Sequence, residues 1–134
     1  MSKSKRKLMI VIAGAILLGA GVASAGYRNT VGQVRMGTYT DGSGYAAGVL
    51  SIVRSSSDNY QRISCYSYPT SGGCLAFNYV NNSNGVGCTT QDPAMLAVIR
   101  SLNGDSYLYF SADSTGACTN LYVQNASEYQ PKNN

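Results

Sequence analysis

The chain has 134 residues, of which 12% are charged and none is histidine, so catalytic pairs that depend on histidine, such as Ser-His-Asp and Cys-His, are excluded. Four of its ten basic residues lie within the first seven positions, and the other six balance six acidic residues, so the net charge of +4 belongs to the N-terminus. Nucleic-acid binding needs clustered Lys and Arg, which the rest of the chain lacks, so no nucleic acid is expected as a partner.

The first 25 residues have the three parts of a secretory signal. A basic cluster at 3–7 precedes an uncharged run at 8–22, and small residues follow at 23–25. A membrane anchor is the alternative, but a spanning helix needs about 20 apolar residues, and this run is shorter and contains three glycines. We expect residues 1–25 to be cleaved after export by the Sec route. The protein is then secreted or periplasmic, without a membrane as partner.

The first part of the remaining chain predicts two strands. Residues 26–124 are expected to form a single domain, and 125–134 a polar tail. The segment 31–36 predicts a short strand, and the apolar, β-branched run 45–54 predicts a second, partly buried strand. A glycine-rich loop joins the two.

The segment 60–68 alternates between two faces, which is typical of a strand with one face on the core. Ile63 and Cys65 are expected to point inward. The opposite face carries Tyr60, Arg62, Ser64, Tyr66 and Tyr68. A turn at 69–73 leads to a returning strand at 74–80, and a loop is expected at 81–85.

One helix and a final hairpin follow. Asp92 is a good N-cap, and Pro93 occupies the first helical position, where its missing N–H costs nothing. An apolar stripe is formed by Met95, Leu96, Ile99 and Leu102. Strands are predicted at 106–112 and 117–124. The order of elements predicts an α+β domain: a small antiparallel β-sheet with one amphipathic helix packed on one face, braced by disulfides.

The four cysteines are Cys65, Cys74, Cys88 and Cys118. Their even number and the predicted export indicate two disulfides. Three pairings are open, and we favour Cys65–Cys74 with Cys88–Cys118, because the turn after 68 would place the first two side by side. Zinc is disfavoured by the wide spacing and by the lack of histidine. No metal and no cofactor are expected.

The carboxylates do not indicate a catalytic pair. Asp41, Asp58 and Asp113 lie in predicted turns, where Asp bonds to nearby backbone, and Asp92 is explained as a helix cap. The favoured interpretation is therefore not an enzyme, although a small secreted enzyme or an effector (an inhibitor or toxin) that acts without histidine is the alternative.

Eleven tyrosines and few charges indicate a surface made for contact. Tyrosine gives a large amphipathic contact at little entropic cost. The favoured interpretation is an extracellular or periplasmic domain that binds a partner or assembles with itself. The candidate contact residues are Tyr60, Arg62, Tyr66 and Tyr68, unless a second layer covers them and makes them core. The candidate partners are another copy, a different surface protein or a carbohydrate.

Overall fold

The computed structural model describes residues 34–58, 60–78 and 83–126. The predicted signal at 1–25 and most of the predicted tail lie outside these ranges. The elements in chain order are β1 (Arg35–Thr38), β2 (Gly44–Val49), α1 (Leu50–Arg54), β3 (Gln61–Ser67), β4 (Gly72–Asn78), β5 (Ser83–Thr90), α2 (Pro93–Arg100), β6 (Tyr107–Ala112) and β7 (Cys118–Gln124).

The strands form two antiparallel sheets. Sheet A has the order β1-β2-β6-β7, and sheet B has the order β3-β4-β5. The β-rich antiparallel architecture and the two disulfides are confirmed. The described residues form two sheets and two short helices, so the prediction of a single sheet with one helix packed on it is not confirmed. The sheets separate because β2 pairs with β6, not with β3, the next strand along the chain.

The core lies between the inner faces of the two sheets. Sheet A contributes Leu108 and Phe110, which are fully buried, and sheet B contributes Ile63 and Ala76. Helix α2 adds two buried side chains, Leu96 and Ile99. The helix thus completes a core that both sheets share and does not lie across one face of a single sheet.

The second predicted strand, 45–54, is too long. It ends at Val49, and Leu50–Arg54 forms α1. Local β-branched residues favour a strand, but packing overrides this preference. Val53 turns back over Gly48, with its Cγ2 3.4 Å from where a Cβ at position 48 would lie, and is buried there.

The predicted loop at 81–85 is also wrong in part, because β5 begins at Ser83 and pairs with β4. The strand contains Gly85 and Gly87, which weaken the strand signal in the sequence. Gly85 is required by a close neighbour: the ring of Phe77 occupies the space that a Cβ at position 85 would fill.

The aspartates occupy the turn and cap positions expected for them. The Oδ1 atom of Asp113 accepts from the N–H of Thr115 at 2.8 Å, and that of Asp92 accepts from the N–H of Ala94 at 2.7 Å at the start of α2. Hydrogen bonds of this kind, chiefly one from the hydroxyl of Thr115, lower the pKa of Asp113.

One disulfide lies within sheet B and the other joins the sheets. Cys65 bonds to Cys74, its direct neighbour on β4, and Cys88 on β5 bonds to Cys118 on β7. This is the pairing favoured from the sequence. Cys74 is also directly opposite Cys88, so three cysteines stand in one row across sheet B. Neither helix in the described ranges has the length and apolar character needed to cross a bilayer.

Candidate functional site

The four contact residues predicted from the sequence are all exposed, but the structure brings only two of them together. The rings of Tyr66 and Tyr68 meet edge to face, with 5.8 Å between centroids. Tyr60 precedes β3, and Arg62 lies four residues before Tyr66, which places it about 13 Å away along the strand. No second layer among the described residues covers this face, since Tyr66 and Tyr68 keep 42% and 64% of their surfaces exposed.

The turn that carries Tyr68 is fixed against α2. The N–H of Tyr68 donates to the carbonyl of Ser71 at 2.7 Å. The Nη2 atom of Arg100 donates to the carbonyls of Tyr68 and Pro69 at 2.9 and 3.1 Å. Arg100 is therefore a link between helix and turn, although it lies off the apolar stripe of the helix.

A larger aromatic surface, which the sequence did not predict, covers the outer face of sheet A. In β6, Leu108 and Phe110 point to the core, so Tyr107 and Tyr109 point outward. The register places Tyr122 of β7 opposite Tyr109 on the same face. The surface, called here the sheet A tyrosine face, consists of Tyr39, Tyr45, Tyr107, Tyr109 and Tyr122.

The rings of this face are close to one another. Centroid distances are 6.3 Å for Tyr39 with Tyr45, for Tyr45 with Tyr109, and for Tyr107 with Tyr122. The Tyr45 and Tyr109 rings are nearly parallel, at 22°. Tyr39 and Tyr122 are the most open members, with 61% and 49% of their surfaces exposed. The five rings therefore form two neighbouring groups, Tyr39–Tyr45–Tyr109 and Tyr107–Tyr122, on β2, β6, β7 and the residue after β1.

Two small apolar residues lie beneath these rings. Ala47 and Val49 are the register partners of Tyr109 and Tyr107, so they share the outer face of sheet A. Both are nevertheless buried, Val49 to 1% exposure. The half-buried tyrosines thus cover apolar surface with one side of the ring and leave the other to solvent.

The face is almost without charge. Arg35 points to this face because it is aligned with Ala47 and Tyr109. It is the one charged residue among the strand residues that do so. Burial raises the pKa of Tyr107, which Arg35 partly opposes. Hydroxyl and amide groups border the rings: Ser111 and Thr119 share a hydrogen bond of 2.8 Å, and the Tyr122 hydroxyl donates to Gln124 Oε1 at 3.2 Å.

Part of the sheet A tyrosine face could be predicted from the sequence. The alternation of Tyr107 and Tyr109 with Leu108 and Phe110 was visible, and it predicts outward tyrosines on one strand. The contribution of Tyr45 could not be predicted locally, because it depends on the pairing of β2 with β6, some 60 positions later in the chain.

Nowhere in the described ranges do three His, Cys, Asp or Glu side chains lie close enough together to hold a metal ion. No protein-family model matches the chain, and no curated protein and no solved structure is significantly similar to it. The candidate functional features are the aromatic surfaces of the two sheets.

Proposed function

We propose that this chain is an exported, non-enzymatic binding domain that holds a neutral polysaccharide on the sheet A tyrosine face. The observation that carries the proposal is the set of five neighbouring tyrosines on a sheet face whose strands present one charged side chain, Arg35.

The chemistry of the face fits a sugar polymer. The faces of aromatic rings are electron-rich and attract the C–H groups on the apolar side of a sugar ring. Sugar hydroxyls can bond to the polar groups at the border, among them Ser111, Asn120 and Gln124. An acidic polymer would need clustered cations, which these strands do not provide, so the ligand is expected to be neutral.

Export is part of the proposal. The two disulfides fit an oxidising compartment. Residues 1–25 have the pattern of a cleaved signal. The mass of protein recovered outside the cytoplasm should correspond to a chain that begins within a few residues of Gly26. Full-length chain in the membrane fraction would contradict export with cleavage.

The test is retention by insoluble neutral polysaccharides, for which cellulose, chitin and starch granules serve as probes. The double variant Tyr39→Ala/Tyr122→Ala removes the two most open rings and is expected to lower the retained fraction at least about tenfold. Tyr60→Ala is the matched control, because Tyr60 is similarly exposed, at 56%, but lies outside sheet A. Melting temperatures should be nearly equal for all variants. Absence of retention on every probe, or equal retention by both variants, contradicts the proposal.

Self-association is the second candidate, and it rests on the balance of six basic and six acidic residues beyond position 25, which leaves no net repulsion between copies. A concentration-dependent dimer on a sizing column that the Tyr39→Ala/Tyr122→Ala variant abolishes would make a second copy the occupant of the face. Release of reducing ends from the same polysaccharides would instead support the enzymatic alternative.

A further inference from the structure

A pocket lies where the ends of three strands meet. Its walls come from the turn between β3 and β4, the end of β5 and the start of β7. Its volume is about 340 Å³, within the range of small-molecule sites. The lining residues are Ser71, Thr89, Thr90, Gln91, Ala117 and Cys118.

The backbone around this pocket is fixed on each side. The disulfide from Cys118 to Cys88 joins two of its walls. The N–H of Thr89 donates to the carbonyl of Gly116 at 2.9 Å, and Gly116 has a φ of 83°, which favours glycine. The carbonyl of Ser71 accepts from the N–H of Tyr68. A pocket with fixed walls loses little conformational entropy when a ligand binds.

The polar groups that line the pocket are uncharged. The hydroxyl of Thr90 accepts from the N–H of Asp92 at 3.1 Å. By contrast, the side chains of Ser71, Thr89 and Gln91 make no hydrogen bond to any residue in the described part of the chain. They offer hydroxyl and amide groups that both donate and accept. A charged ligand would find no opposite charge among the lining residues, whereas a hydroxyl-rich ligand could bond to these groups.

An aromatic ring lies beside the pocket. Tyr66, Gly73 and Thr89 are aligned in one row across sheet B. The phenol of Tyr66 extends over Gly73, with its Oη and Cζ 2.9 and 3.2 Å from the position that a Cβ at residue 73 would take. The ring therefore reaches across β4 towards Thr89, which lines the pocket.

We propose that this pocket, together with the neighbouring ring of Tyr66, binds a single uncharged sugar unit. A pyranose has an apolar C–H face for the ring and hydroxyls for Ser71, Thr89 and Gln91. None of the residues that line the pocket belongs to the sheet A tyrosine face. The site is distinct from the surface proposed above and does not depend on it.

The test is a titration of isotope-labelled protein with glucose, galactose, mannose and N-acetylglucosamine, followed through backbone amide shifts. The expected result is a saturable change at residues 71, 73 and 89–91 with one or more of these sugars, without change at Tyr45 or Tyr122. Thr89→Val removes one hydroxyl at nearly constant shape and should weaken binding about fivefold, the effect of one lost hydrogen bond. Thr38→Val, the same change on an exposed residue of β1, should leave the affinity unaltered.

Three results would overturn the site: no saturable shift with any of the four sugars, shifts confined to the sheet A tyrosine face, or equal affinity of Thr89→Val and wild type. The two proposals fail separately. Thr89→Val should not alter retention on insoluble polysaccharide, and Tyr39→Ala/Tyr122→Ala should not alter the shifts caused by a free sugar.

Discussion

The ring of Tyr45 lies across Gly37, the residue directly opposite it on β1, with its Cζ 2.9 Å from where a Cβ at position 37 would lie. The glycine lets the ring lie against the sheet, and the ring in turn covers backbone that the glycine would leave bare. Two further pairs share this arrangement: Tyr66 with Gly73, and Phe77 with Gly85.

Gly73→Ala should strongly destabilise the domain. A Cβ at position 73 would collide with the backbone carbonyl of Cys88 as well as with the Tyr66 ring, and a backbone atom of a paired strand cannot easily move away. We expect a loss of about 1–3 kcal/mol in the free energy of unfolding, typical of overpacking. Gly87→Ala is the control, since its Cβ would meet only ordinary contacts, the nearest at 3.5 Å. Urea denaturation checks both, and equal losses would mean that the row of Tyr66, Gly73 and Thr89 is misplaced.

Ile99→Ala should lower the free energy of unfolding by roughly 2–5 kcal/mol. The side chain is buried, at 5% exposure, in the core that both sheets share. Ala97→Ser, on the exposed side of α2, should change the free energy of unfolding by less than about 0.5 kcal/mol. Thermal or urea denaturation of the two variants provides the comparison. Similar losses of stability in the two variants would mean that a different face of α2 packs on the core. Arg100 is not a neutral control, because it holds the turn at Tyr68.

Removal of each disulfide should lower the free energy of unfolding by a different amount. Loss of chain entropy in the unfolded state gives a stabilisation of about 2.6 kcal/mol for the separation of 9 residues between Cys65 and Cys74. The corresponding value is about 3.6 kcal/mol for the separation of 30 residues between Cys88 and Cys118. The second bond also joins the sheets, so Cys88→Ala/Cys118→Ala should be the less stable double variant. Urea denaturation of both variants decides the order. Peptide mapping without reduction checks the pairing itself, and four free thiols in exported protein would contradict it.

Acid should weaken the turns. Hydrogen bonds lower the pKa of Asp113, as they do for Asp41 and Asp58. A carboxyl with a lowered pKa in the folded state contributes stability above its unfolded value of about 3.9. That contribution is lost as the pH falls through the folded-state value. Asp113→Asn keeps a turn-forming side chain that does not titrate. Its melting temperature should therefore fall less than that of wild type below about pH 4, and a parallel fall would contradict the role of this carboxylate.

Local signals were sufficient for the elements whose partners are close in sequence. The capped start of α2 at Asp92 and the hairpin of β6 and β7 follow from residues within a few positions of one another. The inward orientation of Ile63 follows from the alternation of its strand. These features depend on hydrophobic periodicity and on capping residues, both of which are visible in the local sequence.

The features that were not predicted depend on distant pairing. The sheet A tyrosine face requires Tyr45 and Tyr109 to meet through strands far apart in the chain, and no local pattern specifies that register. The pocket requires the turn at Ser71 to approach the start of β7 at Ala117. Helix α1 replaced the end of a predicted strand, and Val53 packs over Gly48 together with Ile63 of β3, a contact that the local sequence does not specify.

The row of cysteines in sheet B has a consequence for how the protein matures. Cys74 stands directly between Cys65 and Cys88, one on each neighbouring strand. A chain that has already paired β3, β4 and β5 in the native register can therefore oxidise Cys74 to either neighbour. The non-native bond to Cys88 needs no slip of a strand, so sheet formation does not prevent it, and its removal requires attack by a thiolate, such as that of Cys65, Cys118 or an isomerase. Chains that form this bond reach the native pairing through disulfide reshuffling, which takes seconds to hours and is accelerated by an isomerase.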